Sequence, residues 1–329
     1  MSSETARPVV ADPTPADFQG DGPQALRRLF HATRPKFYPA SVLPVLAGSA
    51  WGYQVAGAFD VLAFVLALLA TVCVHASANV LNDVGDEQGG TDRRNTGRIY
   101  PYTGGSRFIQ AGIMDISAMT RLGVGLIVIA MLAGVALIWL KGPMVLYFGL
   151  AGIALTVLYS LGPVRLASVG LGELAVAIGL GVIPVVGAAW LQSGVITTQA
   201  VLFSVPVSAW VAAILLINEV PDIEADGATG KRTLPVRLGL GGTAALYVTI
   251  HLLAVAAVVQ LTATDALPIW APLVPAALLF LVFRAASAIR VGPTERDAMT
   301  GGIEATLAVH TVGSLWLTVC AIVLAIWGN

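Results

Sequence analysis

The sequence predicts an all-α, polytopic membrane protein with about nine transmembrane helices around a central cavity. Three observations lead there. Of 329 residues, 57% are hydrophobic and only 11% are charged. Mean hydropathy is +0.82, well above the range of a soluble domain of this length. The apolar residues also fall into runs of roughly 20, the length a helix needs to cross a bilayer.

Taken in order, the runs lie near 38–58, 61–82, 119–140, 143–161, 169–191, 199–218, 243–262, 267–284 and 303–327. The cations between them set the topology by the positive-inside rule. Arg7, Arg27, Arg28, Arg34 and Lys36 precede the first run, and Arg93, Arg94, Arg98, Arg107 and Arg121 follow the second. Arg165 lies between the fourth and fifth, Lys231, Arg232 and Arg237 between the sixth and seventh, and Arg284, Arg290 and Arg296 between the eighth and ninth. Only Lys141 falls on the other face, so the N-terminus and the long polar loops 83–118, 219–242 and 285–302 are expected in the cytoplasm. The outer loops, such as "LKGP" and "QSGVITTQ", are short. Residues 1–30 read as a polar cytoplasmic tail without a cleavable signal, and 31–329 as one transmembrane domain.

Composition also excludes some functions. A net charge of −1 and an isoelectric point near 6.4 leave no basic excess for nucleic acid. Cys73 and Cys320 both fall in apolar runs, so neither a disulfide framework nor a cysteine metal site is expected.

The charges that remain are placed unusually. The second run ends in "HASANVLNDVGDEQGGTD", where Asn79, Asn82 or Asp83, and Asp86 recur at helical spacing on one face. The sixth ends in "INEVPDIEADGATGKRT", where Asn218, Asp222 and Asp226 follow at four-residue intervals. Each segment leads into a glycine-rich turn and basic residues, and the two stand four helices apart, which suggests two pseudo-repeated four-helix units. Like carboxylates on one face repel, and charge beside hydrocarbon is costly without a partner. A divalent cation relieves both costs. With oxygen donors and no nearby His or Cys, Mg²⁺ is the expected ion, and it usually completes its shell with substrate phosphates. Lys231 and Arg232 are the favoured phosphate contacts, followed by Arg93, Arg94 and Arg98.

Such a site beside an apolar cavity suits a polyprenyl diphosphate. Metal and cations would stabilise the departing diphosphate while the allylic carbon alkylates an electron-rich acceptor. The loop "GRIYPYTGGSRFIQAG" has the glycines and aromatics for a cytoplasmic cap that keeps water out. Glu173 is an intramembrane acid, expected to act structurally or on the substrate side. His75 and His310 read as hydrogen-bonded core, and Glu87 points off the acidic face and is expected to be solvated.

These residues resemble the UbiA superfamily of intramembrane aromatic prenyltransferases, from about residue 31 to 242. Within it, "ATRPKFYPASVLPVLAGSAWG", "NDVGDEQGGTD", "GGSR", "LYSLGPVRLASVGLGE" and "GKRTLPVRLG" are most like the 1,4-dihydroxy-2-naphthoate polyprenyltransferases of menaquinone biosynthesis. The resemblance implies a Mg²⁺-diphosphate site made by Asn82, Asp83, Asp86 and Asp92 with Asp222 and Asp226, of which Asp86 and Asp222 are central to catalysis. It implies diphosphate contacts from Lys231, Arg232, Arg94 and Asn218. It places Tyr159, a candidate for stabilising the cation with its ring face, and Arg165 near the aromatic acceptor, with Asn79 on the same side. Two positions depart from the pattern: Gly90 stands where the wider superfamily has an acid, with Asp92 as its shifted counterpart, and Glu219 and Pro221 replace a neutral and a basic residue.

Other acceptors fit the same chemistry: homogentisate, 4-hydroxybenzoate, a tetrapyrrole or an ether-lipid precursor. An ion-coupled transporter also carries repeats and intramembrane acids, but here the acids gather at one membrane face instead of the midplane. A phosphatidyl-type transferase would compress its acids into one helix pair, against the wide separation of Asp86 and Asp222.

Overall fold

A computed structural model describes residues 11–160 and 164–327. Arg7 and the Leu-Gly-Pro of "SLGP" lie outside them. The described residues form helices and turns with no strand. In chain order the helices are α1 (Pro23–Ala32), α2 (Pro39–Ala56), α3 (Val61–Gly89), α4 (Thr91–Arg94), α5 (Ile116–Lys141), α6 (Met144–Ser160) and α7 (Gly172–Ser193). They continue as α8 (Thr198–Asn218), α9 (Ile223–Ala228), α10 (Leu234–Ala263), α11 (Leu273–Val291) and α12 (Arg296–Trp327).

Each expected run is helical over most of its length, though the eighth becomes helical only from Leu273 and the fourth is described only to Ser160. Among the described residues, seven helices are long and apolar enough to cross a membrane: α3, α5, α7, α8, α10, α11 and α12. α6 is apolar but has 17 residues, and α2 is diluted by Pro44, Gln54 and a series of small residues. The protein is a multi-pass membrane protein. Its surface carries large apolar side chains, with Trp139 87%, Ile269 84% and Phe280 75% exposed, as a lipid-facing exterior requires.

The helices close into a ring. α2 packs on α3, α7 and α12, α3 on α5 and α6, α7 on α8, α8 on α10, and α10 through α11 on α12. Small residues bring the backbones together, as is usual where lipid removes the hydrophobic drive between helices. A Cβ at Gly48 would stand 2.2 Å from the Val185 carbonyl oxygen, and one at Gly52 2.4 Å from that of Ala189. Hydroxyls inside the bundle donate back to the carbonyl four residues earlier, as Thr156 does to Gly152 and Thr306 to Gly302, so no polar group faces hydrocarbon unsatisfied at these points. Within α7, Ala177–Val182 winds as a π-helix, a local widening common at functional sites.

The segment before α1 is not detached from the bundle. Phe18 is buried against Val80, Val84, Phe108 and Met119, and Asp12 pairs with Arg98. Cys73 and Cys320 are free and buried, as their apolar surroundings imply.

Candidate active site

One end of the ring opens into a cavity of about 1340 Å³ counting its mouth. Its inner wall is apolar, made by Val74, Ala78, Leu155, Ala175, Leu180 and Val211. Its rim is polar, and both acidic segments reach it: Asn79, Asn82 and Asp86 from α3, Asp92 from α4, Asn218 from the end of α8, and Asp222 and Asp226 beside and within α9. Tyr159 lines the same space, as does Lys231. Helices distant in sequence thus deliver the two acid sets to one rim.

Lys231 ties the sets together. Its Nζ donates to Asp86 Oδ1 at 2.5 Å and lies 3.5 Å from Asp226 Oδ1. Burial opposes its charge, but Asp86 and Asp226 outweigh that and hold its pKa above the usual lysine value. The reverse holds for acids outside the membrane helices. Burial, reinforced by Asp83 and Asp86, lifts the Asp92 carboxyl to about 8. Burial lifts Asp226 to about 7 against the pull of Lys231, and burial also raises Asp222. Carboxyls that burial keeps from ionising are those a cation would most favour.

The donor chemistry fits a hard divalent ion. Every candidate ligand is oxygen, and the buried Asp83 Oδ1, Asn95 Oδ1 and Asn218 Oδ1 have no hydrogen-bond partner. Among the described residues, no three His, Cys, Asp or Glu side chains form a metal cluster by themselves. Mg²⁺ is the ion that oxygen donors of this kind hold with a few carboxylates and substrate phosphates.

Several expected residues sit elsewhere. Asp83 is 2% exposed and does not line the cavity; its Oδ2 accepts from the Ser106 N–H at 2.9 Å and so anchors the loop. Gly105 is required beside it: its φ is +74°, and a Cβ there would stand 2.9 Å from Asp83 Oδ1 and 3.0 Å from Asp92 Oδ2. Arg94 is exposed and donates to the Ala228 carbonyl; Arg93 pairs with Glu87, and Arg98 with Asp12. Arg232 is exposed, its backbone N–H on the Ser168 carbonyl. None of these four arginines lines the cavity. Arg165 lies in an adjoining chamber of about 540 Å³ that shares Asn82, Asp86, Tyr159 and Lys231 with the main one. Glu87 is buried, not solvated, because Arg93 and Gln110 bond both its oxygens. His75 bonds Ser41 and also lines the cavity, while His310 bonds the Pro39 carbonyl as a core histidine.

Sequence reasoning missed Asn95, which donates to Asp222 Oδ1 at 2.7 Å, and Arg34, which lines the cavity and donates to the Tyr102 carbonyl at 3.1 Å. Asn95 lies in an irregular turn without periodicity to mark its direction. Tyr102, Thr103, Gly104 and Gly105 of the expected cap loop form part of the cavity wall.

Comparison with known proteins settles the family. The model of the UbiA prenyltransferase family matches residues 41–300. The chain belongs to the UbiA prenyltransferase family. The match runs past residue 242, through α10 and α11, further than the motifs alone reached. UbiA-family relatives include the 1,4-dihydroxy-2-naphthoate octaprenyltransferase of Haemophilus influenzae, 32% identical over 66% of this chain and 70% of that protein. The enzyme of the same name from Mycobacterium tuberculosis is 32% identical over 80% of this chain and 86% of its own. A UbiA homologue from Archaeoglobus fulgidus, solved with DMAPP and Mg²⁺, shares the fold with a TM-score of 0.60 and 17% identity, over 87% of this chain and 99% of the other. This UbiA chain is therefore a prenyltransferase.

Proposed function

We propose that this prenyltransferase moves a polyprenyl group from a polyprenyl diphosphate to an aromatic acceptor, 1,4-dihydroxy-2-naphthoate or a related naphthoate, in menaquinone biosynthesis, and that it requires Mg²⁺. The observation that carries the reading is the junction of the two acidic segments around Lys231 at the polar rim of an apolar cavity. The names of the bacterial relatives favour the naphthoate, and the archaeal homologue's bound DMAPP and Mg²⁺ favour the metal and the donor class.

Asp86, Asp92, Asp222 and Asp226 would hold the ion, with Asn82 and Asn218 as neutral oxygen donors beside them. When bound, the ion neutralises charge developing on the departing diphosphate. Lys231, beside Asp86 and Asp226, would add its ammonium to the same diphosphate. Asn95 orients Asp222, and Asp83 fixes the loop at Ser106. The apolar wall houses the prenyl chain, and Tyr159 presents its ring towards the reacting carbon. Tyr102 to Gly105 exclude water that would otherwise quench the allylic cation. Arg165 and Asn79 contribute on the acceptor side. The excess of Lys and Arg in the loops bearing these residues supports placing the site and the N-terminus at the cytoplasmic face of the inner membrane.

The test incubates membranes containing the protein with Mg²⁺, radiolabelled geranylgeranyl diphosphate and a panel of acceptors. Prenylated naphthoate is the expected product. Prenylation of homogentisate or 4-hydroxybenzoate instead would reassign the acceptor, and no prenylated product would overturn the reading.

A further inference from the structure

Away from the cavity, a groove of about 1150 Å³ counting its open mouth runs between α1 and α5. It lies at the end of the ring that carries the cavity rim, because α5 begins where the loop bearing Tyr102 to Gly105 ends. Arg28 of α1 and Arg121 of α5 line it, and Asp115 is the acid beside them. Among the described residues, no carboxylate forms an ion pair with either arginine. Arg28 Nη1 donates to the Phe18 carbonyl at 3.4 Å, and Arg121 Nη1 to the Ser117 hydroxyl one turn earlier at 2.7 Å. Asp115 is committed to the start of α5, its Oδ1 accepting from the Ala118 N–H at 2.6 Å.

Beyond the arginines the wall is apolar. Leu122, Leu126 and Ile129 recur at helical spacing along one side of α5 and line the groove. The run from Arg121 to Ile129 spans about 12 Å at about 1.5 Å per residue, close to the half-thickness of a bilayer's hydrocarbon, about 15 Å. The groove therefore starts at a cationic end and continues as an apolar strip of acyl-chain length. α1 is built for the same boundary. Leu26, Leu29 and Phe30, at helical spacing on one face, are 69%, 37% and 51% exposed, with Arg27 and Arg28 to the side of that face. A helix with an uncovered apolar face flanked by arginines lies in the plane of a membrane interface.

We propose that this groove holds an anionic phospholipid, its phosphate between Arg28 and Arg121 and one acyl chain along Leu122, Leu126 and Ile129. Charge selects this occupant over other amphiphiles. Two arginines and one aspartate leave a single net positive charge, which a lipid phosphodiester matches with its single negative charge through charge-assisted hydrogen bonds. A zwitterionic lipid brings no net charge to compensate. A polyprenyl diphosphate brings more negative charge than the groove offsets, and Asp115 alone is a poor seat for the metal that accompanies it. The bound lipid spans from α1 to α5 and holds the amphipathic helix against the bundle.

The experiment places the full chain in phosphatidylcholine nanodiscs with graded fractions of a photoactivatable phosphatidylglycerol. Crosslinked peptides are located by mass spectrometry, and hydrogen exchange of residues 23–32 is followed in the same discs. Crosslinks are expected to concentrate on α1 and the first half of α5, and α1 exchanges more slowly with phosphatidylglycerol than with phosphatidylcholine alone. Arg28→Gln and Arg121→Gln each raise the phosphatidylglycerol fraction at half-saturation by about fivefold, the order of one arginine's attraction to an anionic headgroup. Arg290→Gln, which removes an exposed arginine from α11, leaves it unchanged. Thermal transitions in pure phosphatidylcholine discs, the same in all variants as in wild type, show that the loss is one of binding and not of folding. Crosslinks spread evenly over the lipid-facing helices, or half-saturation unchanged in both groove variants, overturns the site. Geranylgeranyl diphosphate competing better than unlabelled phosphatidylglycerol, or discs holding two chains crosslinked at this face, overturns the occupant.

Discussion

Lys231 reaches Asp86 at 2.5 Å across 145 residues of sequence, and that contact joins the two acidic segments. The pairing was legible because each segment repeats its polar residues at helical spacing. The direction of individual side chains was less so. Asp83 and Asp86 are three residues apart, yet Asp86 faces the cavity and Asp83 turns to the Ser106 amide. Asn95 and the buried Glu87 were hidden for a related reason: their partners, Asp222 and Gln110, come from other segments. The elevated Asp92 and Asp226 carboxyls, at about 8 and about 7, give a prediction at this scale. Both lie far above the usual aspartate value, so without a metal these carboxyls hold protons below those values. A metal must displace those protons. Affinity for Mg²⁺ with a prenyl thiodiphosphate therefore rises with pH through about 6 to 9 and levels off above. Below that window it falls by up to about tenfold per pH unit for each proton displaced. Calorimetric titrations across this range check the slope, and a flat profile contradicts it.

At the scale of elements, most of each apolar run of the sequence is helical, because length and apolar character are local properties; the start of the eighth run, before Leu273, is the exception. What the runs could not convey was which helices touch. α2 lies against α7 through Gly48 and Gly52, where any Cβ would meet backbone at 2.2 Å and 2.4 Å. α7 meets α8 in the same way, with a Cβ at Gly181 only 2.5 Å from the Ser208 Cα. Those glycines read in sequence only as small residues in a membrane helix. Gly48→Ala should destabilise the bundle by about 1–3 kcal/mol, seen as a lower thermal transition in detergent. Substitution at Gly149, where a Cβ meets nothing within 4 Å, should leave the transition unchanged. Equal effects at the two positions would show that the α2–α7 approach carries no special packing cost. The π-helical Ala177–Val182 had no sequence signature. It adjoins Gly181 and the cavity-lining Gly179 and Leu180, so the irregularity falls where two helices and a substrate space compete for room.

For the whole molecule, hydropathy alone was sufficient for an all-helical membrane protein, and the ordered motifs pointed to the prenyltransferase family that the match over residues 41–300 establishes. The cavity's depth and the docking of Phe18 against Phe108 depend on long-range packing that no local pattern encodes. The central claim is that two acidic segments, one from each half of the chain, hold one metal-diphosphate between them. It is tested most directly by the affinity of the full chain in nanodiscs for a prenyl thiodiphosphate, with Mg²⁺ or with chelator, in wild type, Asp86→Asn, Asp222→Asn and the double variant. The account predicts binding that needs Mg²⁺ and a loss of at least about tenfold, near 1.4 kcal/mol, in each single variant. It also predicts a double variant weakened by less than the sum of the two, because both carboxylates serve one ion. Binding that survives the chelator, or two losses that simply add, would contradict it.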